Sequence, residues 1–317
     1  MTSDAHSGQP AHVPLEIHPV PGHGAEDVLV AEDGTVYTGT EDGHVHALTP
    51  DGGVRVVGAT GGRPLGLEFL PDGRLLVCAA AGGLLALDPT SGEVEVLLTE
   101  VAGVPMLVCN NAAVAADGTI YFSDSSQAYP LERWKADFVE GTRTGRLLRR
   151  ATDGSVEVLL DGLAFANGVA LAPDESFVAV AESGGRTVVR RWLTGPRAGR
   201  RDLLADDLPG YPDNIALGSD GLIWVTIASP TDGLVERIRR GPMALRRLIT
   251  KLPEALQPAP KRTVRAQAYD VDGRLVHDLQ ADASGFHMAT GVREHGGRVW
   301  FGSLVEPAVA VAAVPGR

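Results

Sequence analysis

Cysteine is nearly missing from this chain: Cys78 and Cys109 are the two in 317 residues. Each lies inside an apolar run, which excludes a disulfide scaffold and reads as buried thiols in a reducing compartment. Positive charge is also scarce, with 28 Lys and Arg against 40 Asp and Glu and a net charge of −12. That balance excludes an electrostatic nucleic-acid binder and favours a cation or a neutral small molecule as ligand. No apolar run approaches the ~20 residues that a bilayer-spanning helix needs, so no integral membrane span is expected. The opening MTSDAHSGQPAH lacks the basic and apolar regions of a secretory leader, which makes residues 1–13 an expected disordered tail on a soluble, cytoplasmic protein. No G-x-x-x-x-G-K-[ST] phosphate loop and no G-x-S-x-G nucleophile elbow occurs, and SDSS over 123–126 reads as a hairpin turn.

What is abundant is turn chemistry. The chain has 39 Gly and 21 Pro beside 44% hydrophobic residues, a composition suited to many short strands. One phrase recurs: an apolar strand, a D-G or P-D turn, a second apolar strand, and a Gly-rich turn into a third. It begins at Asp27 (DVLVAEDGTVYTGTEDGHVHAL), Leu65, Asn111, Gly168 and Asn214, and ends as TGVREHGGRVWFGSLVEPAVAVAAV from Thr290. Asp-Gly and Gly-Gly turns between runs of Val, Ile and Leu are hairpin signals, because Gly supplies the positive φ that tight turns require. Copies ~40 to 50 residues apart match one four-stranded blade, which cannot bury both faces alone. The expectation is all-β: a six-bladed β-propeller over 14–317. PLEIHPV from Pro14 and the terminal AVAVAAV are expected to share the closing blade, leaving no free sheet edge.

One stretch departs from the pattern. TDGLVERIRRGPMALRRLITKLPEALQPAPK, over 231–261, has Leu, Ile and Met at helical spacing with Arg and Lys between them. It reads as a helical insertion in the fifth blade. Whether it packs on the ring, closes the channel as a lid or makes peripheral membrane contact stays open from sequence.

The residues just before several innermost strands are polar, and a propeller turns those positions toward one end of its channel. They are Glu26 and Asp27, Asn110 and Asn111, Asn167, and Asp213 and Asn214. Carboxylates and amide carbonyls without histidine or thiolate are the donors that a hard cation such as calcium takes. A single Asn or Asp would be only an Asx turn, but the same offset recurs in four copies.

The segments FANGVALAPDESFVAVAES, GYPDNIALGSDGLIWV and EGTRTGRLLRRATDGSVEVLLDGLAFANGV resemble the strictosidine synthase-like branch of the superfamily that also holds gluconolactonases, senescence marker proteins and paraoxonases. The resemblance implies a catalytic metal at Glu26, Asn110, Asn167 and Asp213, with Asn214 added in the paraoxonase-like pattern. It further implies that Asp213 serves as base or nucleophile while a cation polarises a lactone or ester carbonyl. Two departures limit it. The strictosidine synthase glutamate falls at Thr290, which argues against that activity, and no histidine stands near Leu65 or Ala80, where a paraoxonase dyad belongs. His23 and His287 are candidates for a proton shuttle, whereas His44, His46 and His295 are expected on outer strands or turns. The expected function is a calcium-dependent hydrolase acting on a small lactone or ester. The alternatives are a metal-braced propeller that binds a partner or metabolite, and a condensation or cyclisation enzyme of specialised metabolism.

Overall fold

The structure, a computed structural model, describes residues 9–253 and 256–316. Six antiparallel sheets follow one another along the chain, each at a copy of the repeat. Their innermost strands are Leu29–Val30, Pro64–Phe69, Cys109–Val114, Ala166–Leu171, Gly210–Leu217 and Ala289–His295. These define blades one to six. The propeller expectation holds, and so does the closing blade: Glu16–Pro19 pairs antiparallel with Ala308–Ala313, Glu16 opposite Val311 and Pro19 opposite Ala308. Strand four of blade six therefore comes from the other end of the chain.

The expected tail falls mainly on residues 1–8, outside the described residues. Its last part is corrected: Ala11 and His12 pair parallel with Leu279 and Gln280 on the outer edge of blade five, and Val13 is buried behind them. Two further readings are corrected. Ser123 and Asp124 are the last residues of the strand Ile120–Asp124 and Ser125 and Ser126 follow it fully buried, so the first half of SDSS is strand and not a hairpin turn. His295 ends the innermost strand Ala289–His295 and not an outer one, whereas His46 lies on the outer strand His44–Leu48 as expected, buried, with its ring 3.1 Å from the Thr40 hydroxyl.

Apolar side chains collect between blades rather than within them. Six clusters lie one to a seam: Leu29, Val77 and Leu87 between blades one and two, for example, and Trp224, Val264 and Phe301 between five and six. This follows from the twist of each sheet, whose two faces both need cover. Cys78 and Cys109 are free and buried in the seam between blades two and three.

Around the channel the innermost strands alternate between two kinds of residue at one offset: Asp27, Gly66, Asn111, Gly168, Asn214 and Gly291. A Cβ on Gly66 would stand 2.7 Å from the Asn111 Cα, and one on Gly291 2.7 Å from the Asp27 Cα. On Gly168 it would overlap the Ile215 backbone nitrogen. Each glycine thus makes room for the polar residue of an adjacent blade. Those side chains stitch the ring: Asp27 Oδ2 accepts from Leu67 N–H at 2.9 Å and from Asn111 Nδ2 at 3.3 Å, and Asn111 Oδ1 accepts from Val169 N–H at 2.9 Å. In the same three blades a hydroxyl on strand two donates to the inner strand, Thr38 to the Asp27 carbonyl, Ser123 to Asn111 and Thr226 to Asn214.

Replacing Gly168 with Ala forces its new methyl group into the backbone of blade five. Urea unfolding should show a loss of about 3 kcal/mol, whereas Ala at Gly162, where a Cβ meets nothing within 4 Å, should cost less despite its positive φ.

Candidate functional site

One residue before that ring, six side chains converge at the channel mouth, one from each blade: Glu26, Leu65, Asn110, Asn167, Asp213 and Thr290. Hairpin geometry puts them there, because each ends the connection that climbs from an outer strand to the next inner strand. Glu26, Asn110, Asn167 and Asn214 are all within 3% of fully buried. Asp213 alone is part-exposed. Leu65 closes the blade-two side with a buried apolar chain, and the Thr290 hydroxyl donates to the Glu26 carbonyl at 2.9 Å. The position that aligns with the strictosidine synthase glutamate thus holds a structural hydroxyl.

Three oxygens in this ring, Glu26 Oε2, Asn110 Oδ1 and Asn167 Oδ1, and Asn214 Oδ1 one residue beyond it, are buried with no hydrogen-bond partner among the described residues. Each such atom costs about 1–3 kcal/mol if left unmade. The Asn167 amide is held in place, its Nδ2 donating to Ser183 Oγ at 3.2 Å while that hydroxyl donates to the Pro212 carbonyl at 2.6 Å. Its carbonyl oxygen is thereby presented to the ring. Of the five expected ligands, Glu26, Asn167 and Asp213 interact directly, through the charge of Asp213 on Glu26 and a hydrogen bond from Asn167 to Asp213, while Asn214 stands one residue further along, at the offset of Asp27 and Asn111, which are spent on stitching blades. The oxygen-rich donors fit a hard divalent cation, with Glu26 and Asp213 supplying two negative charges.

The two carboxyls are strongly perturbed. Burial pushes Glu26 up from its ordinary 4.5 to about 8, opposed by Arg63 and reinforced by the charges of Asp213 and Asp27. Burial likewise lifts Asp213 to about 7 against a hydrogen bond from Asn167, and Asp27 to about 6 against the charge of Arg293. Arg63 was not apparent in the sequence as a site residue. Its Nη2 donates to the Leu304 carbonyl at 2.8 Å and its Nε stands 3.6 Å from Glu26 Oε2, so it braces the mouth from blade two.

A roof covers one side. The expected helical insertion forms two short helices, α2 (Gly233–Arg239) and α3 (Met243–Ile249), broken at Gly241-Pro242. Asp232 caps α2 by accepting from Leu234 and Val235 N–H, and its other oxygen pairs with Lys261 Nζ at 2.9 Å, tying the insert's two ends. A third helix, α1 (Trp134–Glu140), rises from blade three and was missed in the sequence. Its signal was local and short: Trp134 and Phe138 one turn apart in WKADFVE, before Gly141 at φ 66°.

The helices interlock. Glu140 accepts from Thr250 Oγ1 at 3.0 Å, its carbonyl accepts from Arg246 Nη1 at 2.9 Å, and Arg239 stacks 4.4 Å above the Phe138 ring. Phe138 meets Tyr211 edge-on at 4.8 Å, and the Tyr211 hydroxyl donates to Glu236. Beneath them is a mainly apolar cleft of ≈ 100 Å³ whose floor carries Asn167 and Asp213 and whose walls include Phe138, Phe165, Tyr211 and Ile249. A second, more polar hollow lies beyond Trp134, around Arg63 and Glu41. His287 sits on the rim beside Met288 of the cleft, its Nδ1 on Glu306 and its Nε2 3.4 Å from Arg262. His23 is on the loop that leads to Glu26, its carbonyl accepting from Glu41 N–H at 2.9 Å.

The closed ring of six blades defines a class, the six-bladed β-propellers. Residues 28–253 match the SMP-30/Gluconolactonase/LRE-like region, and the chain belongs to that family. It is 34% identical over 262 residues to strictosidine synthase-like 10 of Arabidopsis thaliana, covering 79% of this chain and 69% of the relative. It is 34% identical over 260 residues to the adipocyte plasma membrane-associated protein of Homo sapiens, covering 78% and 62%. The chain therefore spans about two thirds of these relatives' length. Among solved structures, a gluconolactonase of Xanthomonas campestris superposes with TM-score 0.69 at 18% identity, covering 95% of this chain and 89% of the other. Regucalcin of Agrobacterium tumefaciens, a calcium-binding protein, gives 0.66 at 14%, covering 98% of each. These last two likenesses concern the fold.

Glu26 and Asp213 hold protons more tightly in the folded chain than in the unfolded one. Between pH ~4.5 and ~8 the folded state is therefore the more protonated, and stability falls as pH rises. In chelator-treated protein Glu26→Gln should raise the unfolding free energy at pH 8 by on the order of a few kcal/mol, and with it the melting temperature, and leave both unchanged at pH 4.5. An equal effect at both values would mean that burial is not what perturbs Glu26.

Proposed function

We propose that the protein is a calcium-dependent hydrolase of lactones or small esters, with Glu26, Asn110, Asn167, Asp213 and Asn214 holding the ion. The observation that carries this reading is the set of four buried oxygens without partners, contributed by four different blades and converging on one mouth. Buried polar atoms of this kind are met by ordered water or by an ion, and the two carboxylates beside them, Glu26 and Asp213, favour a cation. When bound, a divalent cation supplies electrophilic polarisation of a carbonyl.

The protein's own groups do the rest. Asp213 is the carboxylate that a substrate can reach, since it is part-exposed and lines the cleft while Glu26 is buried. It acts as general base or nucleophile toward a carbonyl seated over the ring. Asn167, fixed by Ser183, sets the lateral position of that carbonyl, and the apolar walls at Phe138, Phe165 and Ile249 hold the substrate body and exclude water from it. The walls favour an ester or lactone with an apolar substituent over a polyhydroxylated one. Of the two proton-shuttle candidates His287 is the better placed, because Glu306 orients its ring at the cleft rim.

Metal content and hydrolysis of an aryl-ester and lactone panel test this together. One calcium per chain is expected, with activity lost on chelation and restored by calcium. Asp213→Asn should lower kcat by about 10²- to 10⁴-fold, and Asn110→Ala should weaken the ion first, so that excess calcium partly rescues it. His287→Gln should change the pH profile of kcat more than KM. A chain that binds calcium but hydrolyses nothing in the panel would be a metal-braced binding propeller instead, and one that binds no divalent ion would remove the basis of the reading.

A further inference from the structure

The roof has an outer surface that the site does not use. Between Glu236 and Glu254 the sequence holds six basic residues and no acidic one, in a chain whose net charge is −12. Arg239 and Arg246 turn inward, to Glu236 and the Gly184 carbonyl, and to the carbonyls of Gly241 and Glu140. Arg237, Arg240, Arg247 and Lys251 are exposed. Interleaved with them, Leu234 is 60% exposed, Leu248 61% and Leu256 67%, with Met243, Leu245 and Leu252 also outward. Few surfaces of a soluble chain show so many large aliphatic side chains within ~25 residues. The opposite edge of α3 explains the geometry, because Ile249 and Thr250 line the cleft while Leu248 and Lys251, one residue to either side, face solvent.

We propose that the exposed side chains of residues 237–252, on α2, α3 and the turn after α3, form a peripheral docking face for an anionic lipid surface. The leucines and Met243 enter the headgroup boundary and Arg237, Arg240 and Lys251 lie at phosphate level, an arrangement in which apolar area and basic charge act together. Charge complementarity selects this occupant: residues 237–252 hold basic side chains and no acidic one, two copies docked through this face would oppose like charges, and an anionic lipid surface complements them. The roof is braced for the role, as Glu140 anchors α3 to α1 from beneath. The proposal concerns the roof's outer face and stands whether or not the cleft hydrolyses an ester.

Sedimentation of the full chain with vesicles tests it, using phosphatidylcholine alone and phosphatidylcholine with roughly a third phosphatidylserine. Binding is expected to the anionic vesicles, to weaken at high salt and to be weak on the neutral ones. Each basic side chain near such a surface contributes a factor of about five, so Arg240→Ser with Lys251→Ser should reduce partitioning roughly twentyfold. Leu245→Glu with Leu248→Glu should abolish it, and since both leucines are exposed the melting temperature should not move. Absence of wild-type binding, or equal binding by these variants, overturns the proposal. A concentration-dependent dimer that the leucine variants dissolve would assign the face to a second copy and overturn it as well.

Discussion

A closed ring must pack six polar inner strands against one another where water has little access, and this crowding at the channel controls the rest of the molecule. Two side chains cannot occupy the same space between neighbouring strands, so Asp or Asn in one blade requires Gly in the next. The alternation from Asp27 to Gly291 is the result. It divides the labour between adjacent residues. Asp27 and Asn111 spend their polar atoms on neighbouring backbones and hold the blades in register. Glu26 and Asn110, one residue earlier, face the mouth with oxygens to spare. The tight inner ring is therefore also what makes the mouth chemically unsaturated, and the perturbed carboxyls at Glu26 and Asp213 follow from the same burial.

The strand pattern and the mouth residues were legible because both are local. Asp-Gly turns mark hairpins within a few residues, and Glu26, Asn110, Asn167 and Asp213 share an offset from those turns. What joins distant segments was not legible. Arg63 reaches Glu26 across the seam between blades, Glu306 meets His287 from another loop, and Glu140 waits for Arg246 and Thr250 more than a hundred residues on. No spacing rule links such pairs. The helix α1 was missed for a different reason: seven residues give barely two turns, too few for a period to stand out from the surrounding aromatic and charged residues. SDSS was read as a turn because small polar residues in a row resemble one, whereas Ser126 is buried with Asp137 as its partner.

The roof and the ring are built on different principles. Blades bury continuous apolar seams, while α1, α2 and α3 meet through Glu140, Arg239, Tyr211 and Glu236, a lattice of charged and aromatic contacts with few buried aliphatics. Contacts of this kind cost less to rearrange than a close-packed core. The rigid part of the site thus comes from strands, and the part that shapes the cleft comes from helices inserted into two blades on either side of blade four.

The closing strand carries a consequence for how the chain is made. Glu16–Pro19 leaves the ribosome before any complete blade is made, yet its partner Ala308–Ala313 emerges only after the other five blades. Until then blade six does not exist, blade one has no neighbour on one side, and the strip at Val20, Val28 and Val30 has no Val309 or Trp300 to pack against. A ribosome paused or terminated inside blade six therefore releases an open arc with two sticky edges, which makes the codons of that blade the ones on which quality control of the nascent ring turns.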